Sequence, residues 1–453
     1  MSRMTKLLTF STALLAPWLL TSAVVDAQDT DVFRPLAAVT IGNLEGVTAT
    51  PLNSFDISFV DPAIGLYALG DRTNNAVDLV DTHDLTFLGF CGHGRFTGAT
   101  GNNNTSGPDG VLIRDHRELW VADGDSTVKV FDVAGCSETT TPKQTIATGA
   151  PSDMRADEMC YDPVDQLIMV ANNAADPPFA TLISTVFYAV VKKFPFPQST
   201  NGAEQCQWSP RTGLFYITIP GIETPDTGHG QVVVINPGTL MVDARSPFDI
   251  PLAACASPQG LAVGPGNDML VGCNGNGSNT QSSVIIGAGV GQILATIPNQ
   301  SGPDEVWFNP GNIHYFLARS NAGSGLQSLG IIDAGTRVAD TGINGFAPVN
   351  MPPDNPHPSA HSVAADSVTG FTFFPIPADN ATTSFSNLCG SVGGDNTMGC
   401  ILVVTGFNDG DDTDPTTTTT TAKKGGKGKN CFAQGAPVIE VTGGQAKHLR
   451  RSC

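Results

Sequence analysis

Charge is scarce in this chain and most of it is of one sign. Asp, Glu, Lys and Arg make up 14% of the 453 residues, with 23 basic residues against 42 acidic ones and a formal net charge of −19. A surface of that sign repels phosphate backbones and anionic lipid, which excludes nucleic acid and acidic membranes as partners. Long apolar runs are missing beyond residue 20. Nothing downstream approaches the roughly 18 continuous apolar residues of a spanning helix, so no membrane span is expected. Catalytic signatures are missing as well: no Gly-x-Ser-x-Gly elbow, no His-Glu-x-x-His, and no Cys-x-x-Cys of a metal, redox or haem site. The glycine-rich stretch Gly287–Gly291 misses the dinucleotide pattern and reads as a turn between strands.

The two ends carry what the middle lacks. Arg3 and Lys6 precede an apolar run from Leu7 to Leu20, and Val25-Asp26-Ala27 forms a small-residue cleavage site before Gln28. Residues 1–27 therefore read as a secretory signal peptide, and a secreted, extracellular protein is expected. Residues 408–430 join an acidic patch, a threonine run and a Lys/Gly-rich stretch, a composition expected to form a disordered linker. Residues 431–453 form a short tail bounded by Cys431 and Cys453. The remainder, 28–407, is the folded body. Sequons at Asn103, Asn104, Asn276, Asn299 and Asn380 fit a glycoprotein, and because Asn103 and Asn104 overlap, one of the two is expected to be used.

The body repeats itself. Seven segments begin with a polar residue, run through an apolar stretch and end in a turn: Phe55–Pro62, Pro108–Asp115, Ala156–Pro163, Ala203–Pro210, Pro258–Pro265, Pro303–Pro310 and Ala360–Ser367. A second apolar strand follows each turn, such as Leu66–Leu69 or Leu119–Ala122, and often a third. Successive repeats are spaced by 45 to 57 residues. A period near fifty with three to four strands per unit is the signature of a β-propeller, here an all-β, seven-bladed one. An eighth repeat hidden in residues 181–200 is the alternative count. The strand near Leu36–Ile41 has no blade of its own and is expected to complete the last blade as its outer strand, removing a free edge.

Ten cysteines in a secreted chain suggest disulfides. The repeat register ranks their pairing as Cys91 with Cys136, Cys160 with Cys206, Cys255 with Cys273, Cys389 with Cys400 and Cys431 with Cys453. Free buried thiols are the alternative for one or two of them.

The polar residue that opens each innermost strand should point into the central funnel. That places Asp56, Asp109, Asp157, Glu204, Gln259, Asp304 and His361 in one ring. Carboxylates so close repel unless a cation neutralises them. Asp56, Asp109, Asp157, Glu204 and Asp304 form a hard oxygen set suited to Ca²⁺ or Mg²⁺, whereas His361 beside carboxylates suits Zn²⁺. The same residues can instead hydrogen-bond the loops of neighbouring blades and hold no ligand. A second polar set, Asp71, Asp123, Asn172, Asn173, Asn274 and Arg319, lies at the ends of the second strands and is expected at the opposite rim or in inter-blade turns.

Through Ser54–Pro62, Leu119–Asp132, Asp157–Asn173 and Ser257–Val263 the body resembles propellers of the YncE-like/YVTN type, which share their architecture with lactonase-like propellers. The resemblance implies the fold and leaves the activity open. Against the metal-dependent gluconolactonase-type enzymes, Leu44-Glu45-Gly46 looks like the setting of a first metal ligand. Against the seven-bladed lactonases, His361, Glu204 and Arg319 form the candidate catalytic trio, in which a metal or arginine polarises the ester carbonyl while a carboxylate or His361 activates water. Three functions follow: a secreted, monomeric binding propeller for a small molecule, glycan, protein or divalent cation at the funnel; a lactonase-like hydrolase; or an extracellular wall or matrix protein.

Overall fold

The computed structural model describes residues 32–42, 48–223, 228–275, 282–319, 328–340, 361–378, 388–407, 439–442 and 445–448. The signal segment, the linker 408–430, Cys431, Cys453, Glu45, Asn276 and Asn380 lie outside them. The chain divides into two compact units, residues 1–410 and 411–453. In the second, Ile439–Thr442 pairs antiparallel with Gln445–His448. No helix among the described residues is long and apolar enough to cross a membrane.

The first unit is a seven-bladed propeller. Each blade is an antiparallel meander whose first strand is the innermost. Those first strands are Phe55–Asp61, Val111–Arg114, Met159–Asp162, Cys206–Ser209, Pro258–Val263, Pro303–Asn309 and Ala364–Ala365, one for each repeat. Residues 181–200 supply the third and fourth strands of blade 3, Phe179–Ser184 and Ala189–Pro195, rather than a further repeat. Seven is therefore the count, and the eight-bladed alternative falls.

The second strands explain why the sequence reads as unbroken apolar runs. Each lies between two neighbouring blades, so both of its faces are buried. In blade 1, Tyr67 and Leu69 pack towards blade 7 with Phe373 and Val403, while Leu66 and Ala68 pack towards blade 2 with Val111 and Leu119. In blade 2 the same alternation sends Leu119 and Val121 one way and Trp120 and Ala122 the other. The core is thus a series of separate inter-blade layers around the ring.

Closure is made by the chain's N-terminal strand. Val32–Val39 pairs with Cys400–Phe407 as the outer strand of blade 7, from Val32 opposite Phe407 to Val39 opposite Ile401. It begins a few residues before the expected Leu36. The register shifts between Pro35 and Ala37, a bulge that accommodates a residue with no N–H to donate. Phe33 then packs edge-on to Phe316 of blade 6, with ring centroids 5.6 Å apart.

Four disulfides join the expected partners. Cys160–Cys206 ties the innermost strands of blades 3 and 4, Cys91–Cys136 ties blades 1 and 2, and Cys255–Cys273 and Cys389–Cys400 lie within blades 5 and 7. Of the overlapping sequons, Asn104 is exposed, whereas the Asn103 side chain accepts a hydrogen bond from Arg72 at 2.6 Å. Asn299 is exposed in a turn.

One polar pair stands inside this apolar framework. Asp71 and Asp78 are diagonal neighbours on the second and third strands of blade 1, Asp78 opposite Leu69 and Asp71 opposite Ala76, and both are fully buried. As two carboxylates, neither oxygen of Asp78 would have a hydrogen-bond partner. With a proton, Asp78 donates to Asp71. Burial raises both, Asp71 to about 6, against the Asn74 hydrogen bonds that favour its ionised form. In blade 2 the position equivalent to Asp78 holds Lys129, which makes an ion pair with Asp123.

Two outcomes are expected. Phe33→Ala should cost about 3–5 kcal/mol in chemical denaturation by emptying the aromatic seat of the closing strand, while a loss under 1 kcal/mol would show that the strand closes the ring without it. For the acid pair the folded pKa lies above the unfolded one. Its stabilising contribution is therefore complete below about pH 4, where the unfolded carboxyls also hold their protons, and is lost as pH rises from there through the folded values, about 6 for Asp71. Asp78→Asn should then raise stability by on the order of 2 kcal/mol at pH 8 and leave it almost unchanged at pH 3, read as melting temperature against pH.

Candidate functional site

The seven innermost strands start at one end of the axis, and their opening side chains meet there. Single ligand atoms of Asp56, Asp109 and Asp157 lie within 4.8 Å of one another, as do those of Asp56, Asp304 and His361. Glu204 belongs to the same group, since the charges of Asp304 and Asp157 both act on it. Gln259 holds the corresponding place in blade 5 and makes no side-chain hydrogen bond among the described residues.

Two arginines that the repeat pattern does not single out stand among these carboxyls. Arg72 follows the second strand of blade 1, and its guanidinium binds Asp109 and, at 2.5 Å, Asp56. Arg155 stands two residues before Asp157, binds it at 2.7 Å, and also reaches Asn173 Oδ1 at 3.1 Å. His361 Nδ1 lies 2.5 Å from Asp304 Oδ2 and 4.0 Å from Asp56 Oδ1. The position of Arg72 beside a polar strand end and the Arg-x-Asp spacing of Arg155 and Asp157 were the sequence signals for them.

Burial sets the protonation of the ring. It raises Asp157 to about 6 in spite of Arg155, and Glu204 to about 8, with Asp304 and Asp157 adding repulsion. It raises Asp109 too, whose Oδ2 is buried without a hydrogen-bond partner although Arg72 lies on Oδ1. Asp304 goes the other way: burial would raise it, but the charge and hydrogen bond of His361 outweigh that and hold it below the ordinary carboxylate value. Asp304 raises His361 in return, against burial.

The ring is unevenly accessible. Asp56, Asp109 and Asp157 are buried, whereas Glu204, Gln259, Asp304 and His361 are partly exposed. Blades 1 to 3 thus contribute a sealed arc neutralised by arginine, and blades 4 to 7 an open one. The sealed triad does not fit a divalent ion, because Arg72 and Arg155 already pair with each of its three carboxyls, leaving Asp109 Oδ2 buried without a partner. Asp56, Asp304 and His361 offer two oxygens and one nitrogen and fit a divalent ion once His361 is neutral.

The second polar set lies at the same end as the ring, not at the opposite rim. In an antiparallel pair the end of one strand lies beside the start of its partner, so Asp71 is opposite Phe55 and Arg319 opposite Pro303. Most of the set serves turns and blade contacts. Asp123 accepts from Thr97 at 2.8 Å, Asn172 donates to the Arg155 carbonyl at 3.1 Å, and the Asn274 N–H donates to the Ser257 carbonyl at 2.9 Å. Asn173 is the exception, bonded to both Arg155 and Glu204. Arg319 donates from Nε to the Ser301 carbonyl at 2.8 Å, and burial lowers it to about 10. The cations whose charge acts on Glu204 and His361 are Arg155 and Arg72 respectively.

One residue beyond the ring, the strands carry Ile57, Gly110, Glu158, Gln205, Gly260, Glu305 and Ser362. Gln205 bridges blades 5 and 6, its Oε1 accepting from the N–H groups of Leu261 at 2.6 Å and Val306 at 3.0 Å. Glu305 accepts from Ser362 at 2.9 Å and the Val363 N–H at 3.0 Å. Gly110 is required by contact: a Cβ there would come within 2.3 Å of the Asp157 carbonyl oxygen. Past this layer the axis opens into a cavity of about 450 Å³.

No family model matches the sequence, and no curated relative aligns with it. Among solved structures the chain is similar to the WD40 β-propeller domain of Doa1, at 11% identity and a TM-score of 0.55, over 82% of this chain and 96% of that one. It also overlaps hydrazine synthase of Kuenenia stuttgartiensis, at 14% identity and a TM-score of 0.47, over 62% of this chain and 83% of that one. The Doa1 likeness shows the propeller fold and nothing finer.

Arg72→Met should leave the carboxyls of Asp56 and Asp109 buried without their guanidinium. The expected loss is about 3–5 kcal/mol at pH 7, and it should shrink towards pH 4 as the buried Asp109 carboxyl, whose pKa is raised, takes up its proton. A loss independent of pH would assign Arg72 a packing role instead.

Proposed function

We infer that this chain is an extracellular binding propeller of the YncE-like/YVTN type, which holds a divalent cation or a small hydrogen-bond-donating molecule on the open arc of its funnel. The observation that carries this reading is the asymmetry of the ring. Arginines pair with each carboxyl of the sealed arc, whereas Glu204, Gln259, Asp304 and His361 are partly exposed at the funnel. A convergent, partly open set of polar groups at the end of a channel is what a small ligand site requires. Four disulfides, the signal-like N-terminus and exposed sequons at Asn104 and Asn299 support a setting outside the cell.

Lactone hydrolysis is a second reading, favoured by one observation. Glu204 is kept as an acid up to about pH 8, while in the same ring His361 Nδ1–H donates to an Asp304 carboxylate held below its ordinary value. Groups driven apart in this way can serve as general acid and general base.

Elemental analysis and titration calorimetry of the secreted protein decide between these. A stoichiometric divalent ion, lost in Asp304→Asn, is the result expected for the cation form. A metal-free protein that binds a polyol such as sorbitol saturably, at least tenfold more weakly in Glu204→Gln, is the result expected for the organic form. Chelator-sensitive cleavage of a lactone would favour the hydrolase. Neither ion nor polyol binding would overturn the binding reading.

A further inference from the structure

The cavity beyond the ring has chemistry of its own. Its wall is apolar and aromatic, with Phe59, Tyr161, Trp208, Trp307 and Phe308 among its residues. Phe59 and Trp307 meet edge to face at 5.4 Å. Two acids line it, Glu158 and Glu305, and the lining contains no Lys, Arg or His. Glu305 is already bonded to Ser362 and Val363. Glu158 is not: it is 5% exposed, and its carboxyl makes no hydrogen bond or ion pair among the described residues. The charged groups acting on it, Glu305, Asp157, Asp304 and Glu204, are all acidic.

A buried carboxyl is normally hydrogen-bonded or paired, because leaving it alone forfeits its hydration without return. Nothing in the fold answers Glu158. A divalent ion is a poor answer, since it demands several oxygen ligands and most of the wall is carbon. An organic cation answers both features at once: its charge pairs with the carboxylate, and its apolar body lies against rings whose faces attract cations. The volume is in the range of small-molecule sites.

We propose that the channel cavity is a second binding site, for an organic ammonium ion with an aromatic or aliphatic body, its nitrogen on Glu158 and its body against Phe59, Tyr161, Trp208 and Trp307. The site is separate from the open arc of the ring and stands or falls independently of it.

The test uses the full secreted chain with two probes of equal shape, phenethylamine and 2-phenylethanol, followed by calorimetry and by tryptophan fluorescence. Saturable binding of the amine, at least tenfold tighter than the alcohol, is expected. Glu158→Gln, which keeps the side-chain shape, should weaken the amine tenfold or more, whereas His361→Gln in the ring should leave it within twofold. Should Glu158→Gln fail to fold, Gln207→Trp, which fills the cavity from a partly exposed position, should abolish binding. Equal affinity for amine and alcohol, no binding of the amine, an undiminished affinity in Glu158→Gln, or competition by millimolar Ca²⁺ would each overturn the proposal.

Discussion

Seven strands cannot start around one axis without bringing their first side chains together, and here five of those seven are carboxyls. Coulomb repulsion among them, in a place water reaches only from one side, is the constraint around which the funnel is built. The answer is internal. Arg72 and Arg155 come from neighbouring loops and take the oxygens of Asp56, Asp109 and Asp157, and His361 takes Asp304. Three cations against five acids still leave an excess of negative charge. That excess, together with burial, is why Glu204 and Asp157 hold their protons to higher pH than free carboxyls do. The ring is a structural ion network over blades 1 to 3 and is partly exposed where the arginines stop.

The rest of the propeller follows from how its blades share surface. Each second strand divides its side chains between two neighbours, so no blade owns a core. Removing one blade would expose two apolar layers. The ring must therefore close. Closure falls to a strand from the opposite end of the chain, supported by hydrogen bonds between blades 1 and 7 such as Thr82 to Asp366 at 2.5 Å and Ser362 to Ser58 at 2.6 Å. The cross-blade disulfides Cys91–Cys136 and Cys160–Cys206 span 45 and 46 residues, close to one repeat. Each closes a loop of one blade's length in the unfolded chain and so acts on the interfaces on which closure depends.

How much of this the sequence discloses depends on whether a residue's role is set by the repeat. The ring positions recur with the period, so Asp56 or Asp304 can be placed from register alone, and the blade number, the outer closing strand and the four described disulfide pairs follow from the same register. Arg72 and Arg155 do not recur. They come from connections of unequal length, and nothing in a strand pattern says that a loop arginine turns inward. The polar set around Asp71 and Arg319 was legible as residues but not as a location, because antiparallel pairing returns the chain to the end it left.

The layer just past the ring separates what the fold uses from what it does not. Gly110 and Gly260 let neighbouring blades approach, Ile57 packs, Gln205 bridges blades 5 and 6, and Ser362 and Glu305 satisfy each other. Six of these seven positions are thus accounted for by assembly of the ring. Glu158 is the seventh: among the described residues no group of the fold is bonded to its carboxyl, and burial beside other acids raises its pKa and so favours its neutral form. A glutamine there could have bridged blades as Gln205 does, and an alanine would have left no polar group to satisfy. A carboxyl kept without a partner, on the wall of an aromatic cavity free of basic groups, is not required by assembly. A carboxyl without a bonded partner in a layer whose other members are satisfied is the feature on which the proposed ammonium site rests.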